Sequence, residues 1–209
     1  MQPTADGYPI DFTVDYPDRD LNRVTTFFRI FVAIPIIIIL STVNGGGLFV
    51  GTSRGGFIAA GGLLFFAPLL MILFREKYPR WWFDWNLALL RLHNRVGAFL
   101  LLLRDEYPST DEDQSVHLDM AYPDVPAQLN RWLPLVKWLL AIPHYIVLIA
   151  LDIAGIVVVI VAWFSILITG RYPRWAFDFI VGVMRWHNRV LGYAFLLVTD
   201  HYPPFSLQG

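Results

Sequence analysis

The sequence predicts a mainly α-helical integral membrane protein: four transmembrane helices arranged as two parallel-repeat hairpins, two amphipathic interfacial helices on the cytoplasmic side, and short cytoplasmic β-strands. Three observations lead there. The 209-residue chain is 56% hydrophobic with a mean hydropathy of +0.51, too apolar for an ordinary water-soluble domain. Three apolar blocks stand out, Thr25 to Val43, Gly56 to Phe74 and Leu135 to Ile168. Finally, the segment from Tyr78 to Pro108 returns from Tyr172 to Pro203, so one unit occurs twice. The expected organisation is a first repeat over 1–109, a linker over 110–115 that overlaps the acidic stretch Pro108 to Gln114, and a second repeat over 116–209 in the same order.

Each repeat opens on a segment of period two: Ile10, Phe12, Val14 and Tyr16 in the first, Val116, Leu118, Met120 and Tyr122 in the second, with mostly polar residues between. That period is a strand's. The two strands could pair with each other or with a third cytoplasmic element.

A span needs about 20 apolar residues at roughly 1.5 Å each, and the first two blocks fit one span apiece. The third is longer and is interrupted by Asp152 and Gly155, which reads as two short helices joined by a tight turn. Ile34-Pro35 matches Ile142-Pro143 at an offset of 108, whereas Tyr78-Pro79 matches Tyr172-Pro173 at 94. The difference falls in the glycine-rich stretch that follows Asn44, expected to be the loop of the first hairpin. Pro35 and Pro143 should each kink a helix from within. Of the 16 Lys and Arg residues only Arg54 lies in a hairpin loop. The positive-inside rule then puts both termini on the cytoplasmic side of a multi-pass protein in the cell (inner) membrane, its repeats related by an axis along the membrane normal.

The duplicated unit after each second span reads Tyr-Pro-Arg-Trp, one residue, Phe-Asp, six residues, Arg, one residue, His-Asn-Arg-Val. On a helix, Asp84, Arg91 and Arg95 fall on one stripe, as do Asp178, Arg185 and Arg189, while the opposite side is apolar. Crossing the bilayer would put these charges at its centre, at roughly 2.5–3.5 kcal/mol each, so interfacial helices are expected, anchored by Trp81, Trp82, Trp85, Trp175 and Trp186. Gly97 and Gly192 could cap them, with the apolar run beyond forming a strand toward Asp105 and Asp200. Under the repeat axis Asp84 could meet Arg185 or Arg189, and Asp178 could meet Arg91 or Arg95, as a reciprocal ion-pair lattice. Alternatively the arginines face lipid phosphates or an anionic ligand. With His93, Asn94, His187 and Asn188, these residues are the candidate interface or headgroup-binding set. Seven of the nine tyrosines precede proline, which marks element boundaries and suits rings in the headgroup layer.

Other classes of function find little here. The net charge of -1 offers nothing to nucleic acid, and the absence of cysteine removes disulfides, thiolate metal sites and a cysteine nucleophile. The N-terminus lacks the basic and apolar regions of a signal peptide. No phosphate loop, HExxH motif or nucleophile elbow occurs. His93 and His187 have no further ligand at metal or haem spacing. No catalytic residue, metal or cofactor is therefore expected.

The repeated Tyr-Pro-Arg-Trp, Phe-Asp, Arg-x-His-Asn-Arg-Val and Asp-x-Tyr-Pro elements resemble the bacterial membrane family catalogued as domain of unknown function 4389, in two tandem copies. The resemblance implies a prokaryotic membrane location and no activity. The expected function is that of a non-catalytic accessory or scaffolding subunit, in contact with lipid and with other membrane subunits or further copies of itself. The alternative is a lipid- or anionic-solute-binding or transport protein that uses the arginine stripes.

Overall fold

The two period-two segments are strands, β1 (Ile10–Val14) and β2 (Val116–Met120), and they pair antiparallel with each other. The computed structural model describes residues 8–43 and 66–208. Phe12 stands opposite Leu118, Ile10 opposite Met120 and Val14 opposite Val116. Because Phe12 and Leu118 also correspond in the sequence repeat, this register is that of a two-fold axis through the middle of the ribbon. All six of these side chains are buried and the residues between them are exposed, as a half-buried strand requires.

Two long amphipathic helices cover the ribbon, α4 (Arg80–Leu100) and α8 (Arg174–Ala194). They exchange partners: α8 packs on β1 and α4 on β2, so the helix of each repeat covers the strand of the other. Gly192 permits the approach, since a Cβ there would lie 2.0 Å from Ile10 Cδ1. Around this body lie α1 (Arg23–Phe27), α2 (Arg29–Val43), α3 (Phe66–Arg75), α5 (Val125–Gln128), α6 (Pro134–Leu140) and α7 (Ile142–Thr169). The Asn22 side chain caps α1 by accepting from the amides of Val24 and Thr25. Ala33 and Ile36 on α2 meet Leu92, Val96 and Phe99 on α4.

The third apolar block corrects the expectation of two short helices and a turn. From Ile142 to Thr169 it is one uninterrupted helix of 28 residues, about 42 Å long at the α-helical rise. A glycine inside a helix costs only about 1 kcal/mol, and Gly155 is buried where Ile180 of α8 crosses it, its missing Cβ leaving 3.5 Å to Ile180 Cδ1. Asp152 finds a partner rather than a turn. α7 is the one helix, among the described residues, long and apolar enough to cross a membrane. Four spans are therefore not seen; the glycine-rich loop and most of the second block lie outside the described residues.

Two further expectations change. Pro143 sits in the first turn of α7, where its missing N–H costs nothing, and the chain breaks at Ala141 instead of kinking; Pro35 does lie inside α2. Gly97 and Gly192 are interior to α4 and α8 and do not cap them, and no strand follows. The left-handed residues that end these helices are Leu102 (φ 67°) and Leu197 (φ 58°). At the first, Leu103 N–H bonds Ala98 O and Leu102 N–H bonds Phe99 O, a Schellman pattern without glycine. Leucine accepts the left-handed conformation, at about 1–2 kcal/mol, because both side chains are buried, at 3% and 0% exposure.

α7 runs antiparallel to α8 along its length, and both of its ends are tied to the central body. At the start, Lys137 of α6 meets Asp200, and His144 accepts from Trp186. At the end, Gly170 in a left-handed cap offers its carbonyl to Leu21 N–H at 2.8 Å.

Candidate functional site

The stripe residues do not assemble into the expected lattice. Arg91 Nε donates to Leu118 O and its Nη2 to Asp119; Arg185 Nε donates to Phe12 O and its Nη1 to Leu207 O. Corresponding arginines thus hold corresponding strand carbonyls. Arg95 reaches Ser109 O, and the buried Arg189 holds Ser206 O and Gln208 O of the C-terminal tail. Asp178 is 3.9 Å from Arg174 one turn earlier, and Asp84 makes no ion pair among the described residues; both are exposed. The reason is geometric. The arginines lie where the helices cross the ribbon, and the aspartates lie near the exposed helix starts.

What the two helices place together is the asparagine pair. Asn94 and Asn188 are buried and exchange two hydrogen bonds at 2.8 Å, each amide nitrogen also donating to the carbonyl four residues back, Leu90 O and Met184 O. A planar amide, donor on one side and acceptor on the other, is self-complementary across a two-fold axis. His93 and His187 each set Nδ1 against the carbonyl one turn earlier, Leu89 O and Val183 O.

Of the expected anchors, Trp81, Trp85 and Trp175 are exposed, but Trp82 and Trp186 belong to the interior. Trp186 donates to His144 Nδ1 at 3.0 Å, and Phe205 of the tail stacks on His144 at 4.0 Å between ring centroids. Tyr8, Tyr16, Tyr78, Tyr122 and Tyr172 lie within two residues of an element end while Tyr107 and Tyr202 lie in irregular segments, yet Tyr8, Tyr78 and Tyr172 point inward: Tyr78 donates to Leu196 O and Tyr172 to Leu101 O, each bridging to the other repeat. Tyr16 and Tyr122 likewise donate to the Tyr172 and Tyr78 carbonyls, and Arg174 and Arg80 lie over their rings.

The Asp-x-Tyr-Pro motif carries chemistry that sequence reasoning left unassigned. Asp105 accepts from Asn22 N–H and from Arg29, at 2.7 and 2.5 Å; Asp200 accepts from Asn130 N–H at 2.5 Å and pairs with Lys137 at 2.6 Å. Arg29 and Lys137 also donate to the carbonyl just before each aspartate, Arg104 O and Thr199 O. Burial lowers the Lys137 ammonium below its ordinary pKa, and Asp200 opposes that shift. At Glu106 burial raises the carboxyl, but hydrogen bonds from Arg104 and Ser115 outweigh it and hold the group at about 2. These are structural ties at the bases of the helices.

A different pair is placed in apolar surroundings. Asp152 of α7 and His187 of α8 approach to 3.4 Å, each about half exposed. On one side lies a cavity of about 480 Å³ lined by Asn94, Gly155, Ile156, Val159, Val183 and Met184; on the other lies a cavity of about 190 Å³ that includes Tyr145, Leu148 and Phe195. The Tyr145 hydroxyl is buried and makes no hydrogen bond among the described residues. A sequence signal for this pair existed: Asp152 is the sole Asp, Glu, Lys or Arg between Ile142 and Thr169. Finding its partner required the antiparallel pairing of α7 with α8. Among the described residues no three His, Asp or Glu side chains gather as metal ligands.

No curated protein and no solved structure matches the chain. Residues 132–206, from just before α6 through α8 into the tail, carry one domain of the family described as Domain of unknown function (DUF4389), and a second tandem copy is not detected.

Proposed function

We propose that the protein is a non-catalytic accessory or scaffolding subunit of a larger assembly in a prokaryotic cell membrane. The observation that carries this is the outer face of α7. Ile146, Ile149, Ile153, Ile156, Ile160 and Phe164 are each more than half exposed on a helix whose other face packs on α8. Exposed α2 residues Ile30, Phe31, Ile34 and Ile37 add to the apolar exterior. A water-soluble monomer rarely exposes such a surface. Meanwhile four of the six stripe residues are engaged with backbone carbonyls, which leaves them little capacity for a headgroup.

The sequence expectation of a multi-pass protein with both termini cytoplasmic is one seating. A second is favoured by the length of the α7–α8 pairing: if α7 crossed, α8 would be drawn in beside it, with Arg174, Asp178, Arg185 and Arg189 at roughly 2.5–3.5 kcal/mol per central charge. In that seating α7 lies along the membrane surface with its isoleucine face in the acyl region and both of its ends on one side.

Photo-crosslinkers at Ile153, Ile156 and Phe164 in native membranes test the proposal. Partner polypeptides crosslinked at these sites are the expected outcome. Purification that always returns the chain alone, with no crosslinked polypeptide, overturns the subunit reading.

A further inference from the structure

We infer that the groove between α7 and α8 is a binding site for a neutral membrane amphiphile: one apolar chain and a small head that both donates and accepts hydrogen bonds. The inference uses the membrane seating above only to supply such a ligand, and its test is carried out on solubilised protein, so the two can fail separately. Three observations support it. First, the larger cavity has the volume of an ordinary small-molecule site, on the order of 300–1,000 Å³, and its lining is aliphatic apart from the Asn94, Asp152 and His187 side chains. Second, the polar groups sit at one place. Asp152 and His187 line both cavities, so the pair stands at their junction with the chain-sized cavity beside it. Third, Tyr145, which lines the smaller cavity, carries an unspent donor: its buried hydroxyl has no partner among the described residues, though its ring is packed near Phe195. A buried hydroxyl left unpaired is costly, and a ligand acceptor would relieve that cost.

The head's chemistry follows from this set. Tyr145 can donate and the Asp152 carboxylate can accept, whereas both His187 ring nitrogens already face protein acceptors, Val183 O and Asp152. An anionic head would meet Asp152 at close range and be repelled. A hydroxyl head accepts from Tyr145 and donates to Asp152 without adding charge. Both a glycerol-headed lipid and an isoprenoid quinol have that chemistry.

Binding is measured on the purified full chain in detergent by native mass spectrometry, with 1-monooleoylglycerol and a short-chain ubiquinol as probes and oleate as the anionic comparison. Wild type retains one equivalent of at least one neutral probe, and the probe retained identifies the source. Tyr145→Phe weakens retention about tenfold, the loss of one buried hydrogen bond, and His187→Leu, which removes the ring that faces Asp152 at the junction, weakens it as well. Gly155→Leu, whose Cβ alone meets Ile180 at van der Waals distance, puts the rest of its side chain into the chain cavity and abolishes retention. Arg174→Ala, on the exposed side, changes nothing. Circular dichroism confirms that each variant folds, and Tyr145→Phe keeps the ring so that at least one test is free of packing loss. Retention of neither neutral probe, stronger retention of oleate, or retention unaffected by the three groove variants overturns the inference.

Discussion

Removing the Asp200 carboxylate isolates the least solvated charge among the described residues. Lys137 is 0% exposed; its Nζ lies 2.6 Å from Asp200 and 2.7 Å from Thr199 O, with the Tyr193 ring at 5.2 Å. In Asp200→Ala the ammonium keeps one carbonyl and one aromatic face and loses its counter-charge, which for a buried pair costs about 3–5 kcal/mol. For a chain of this size that is a fall in Tm of roughly 6–20 °C. Lys137→Met removes the charge itself, and the remaining Asp200 is 18% exposed and still accepts from Asn130 N–H, so its cost should be about 1–2 kcal/mol. The double substitution should cost less than the sum. Burial already depresses the Lys137 pKa, and without Asp200 the depression deepens. Between the depressed folded value and the ordinary value near 10.5, the unfolded chain holds a proton that the folded chain lacks, so stability rises with pH across that window. Thermal melts in detergent near pH 7 and at about pH 10 should show the Asp200→Ala deficit shrinking at the higher pH. A deficit near pH 7 below about 2 °C, or one that does not shrink, would refute the assignment of Lys137 as a buried charge held by Asp200.

Three other outcomes are expected. Asn94→Leu or Asn188→Leu leaves the other buried amide without its partner across the axis and costs about 1–3 kcal/mol, whereas the double leucine variant should be nearer to wild type than either; additive losses by chemical denaturation would exclude the reciprocal pair. Gly192→Ala pushes a methyl into Ile10 Cδ1 and costs about 1–3 kcal/mol, and Ile10→Val, which deletes that carbon, should restore most of it; no rescue in thermal melts would mean the contact is not the cause. Since the chain has no cysteine, single cysteines at Ile142 and Ile168 report the seating of α7 cleanly: an impermeant thiol reagent should label both from one side of a sealed vesicle, and labelling from opposite sides would show that α7 crosses.

The pattern of apolar and polar residues carried the strands, the amphipathic character of α4 and α8 and the apolar nature of α7, because each depends on a local period that neighbouring side chains alone set. The site was less legible. The stripe of Asp84, Arg91 and Arg95 exists on the wheel, but a wheel shows only which side a residue faces, and Arg91 faces a strand carbonyl rather than lipid or Asp178. Trp82 and Trp186 carried the composition of anchors and the location of core. In the sequence Asp152 reads as a break because a lone carboxylate in an apolar run is expensive, and the His187 that accommodates it is 35 positions away.

By itself, then, the sequence determined that two similar units each join a period-two segment to an amphipathic helix, with apolar blocks between the two in each unit. Only the tertiary structure decided that the helix of one unit covers the strand of the other, that the axis passes between Asn94 and Asn188, and that residues 142–169 form one helix. The physical reason is the range of the interactions. Periodicity and propensity act over a few residues, whereas a buried amide, an unpaired hydroxyl or a helix-packed glycine is stable only through atoms brought from the other end of the chain.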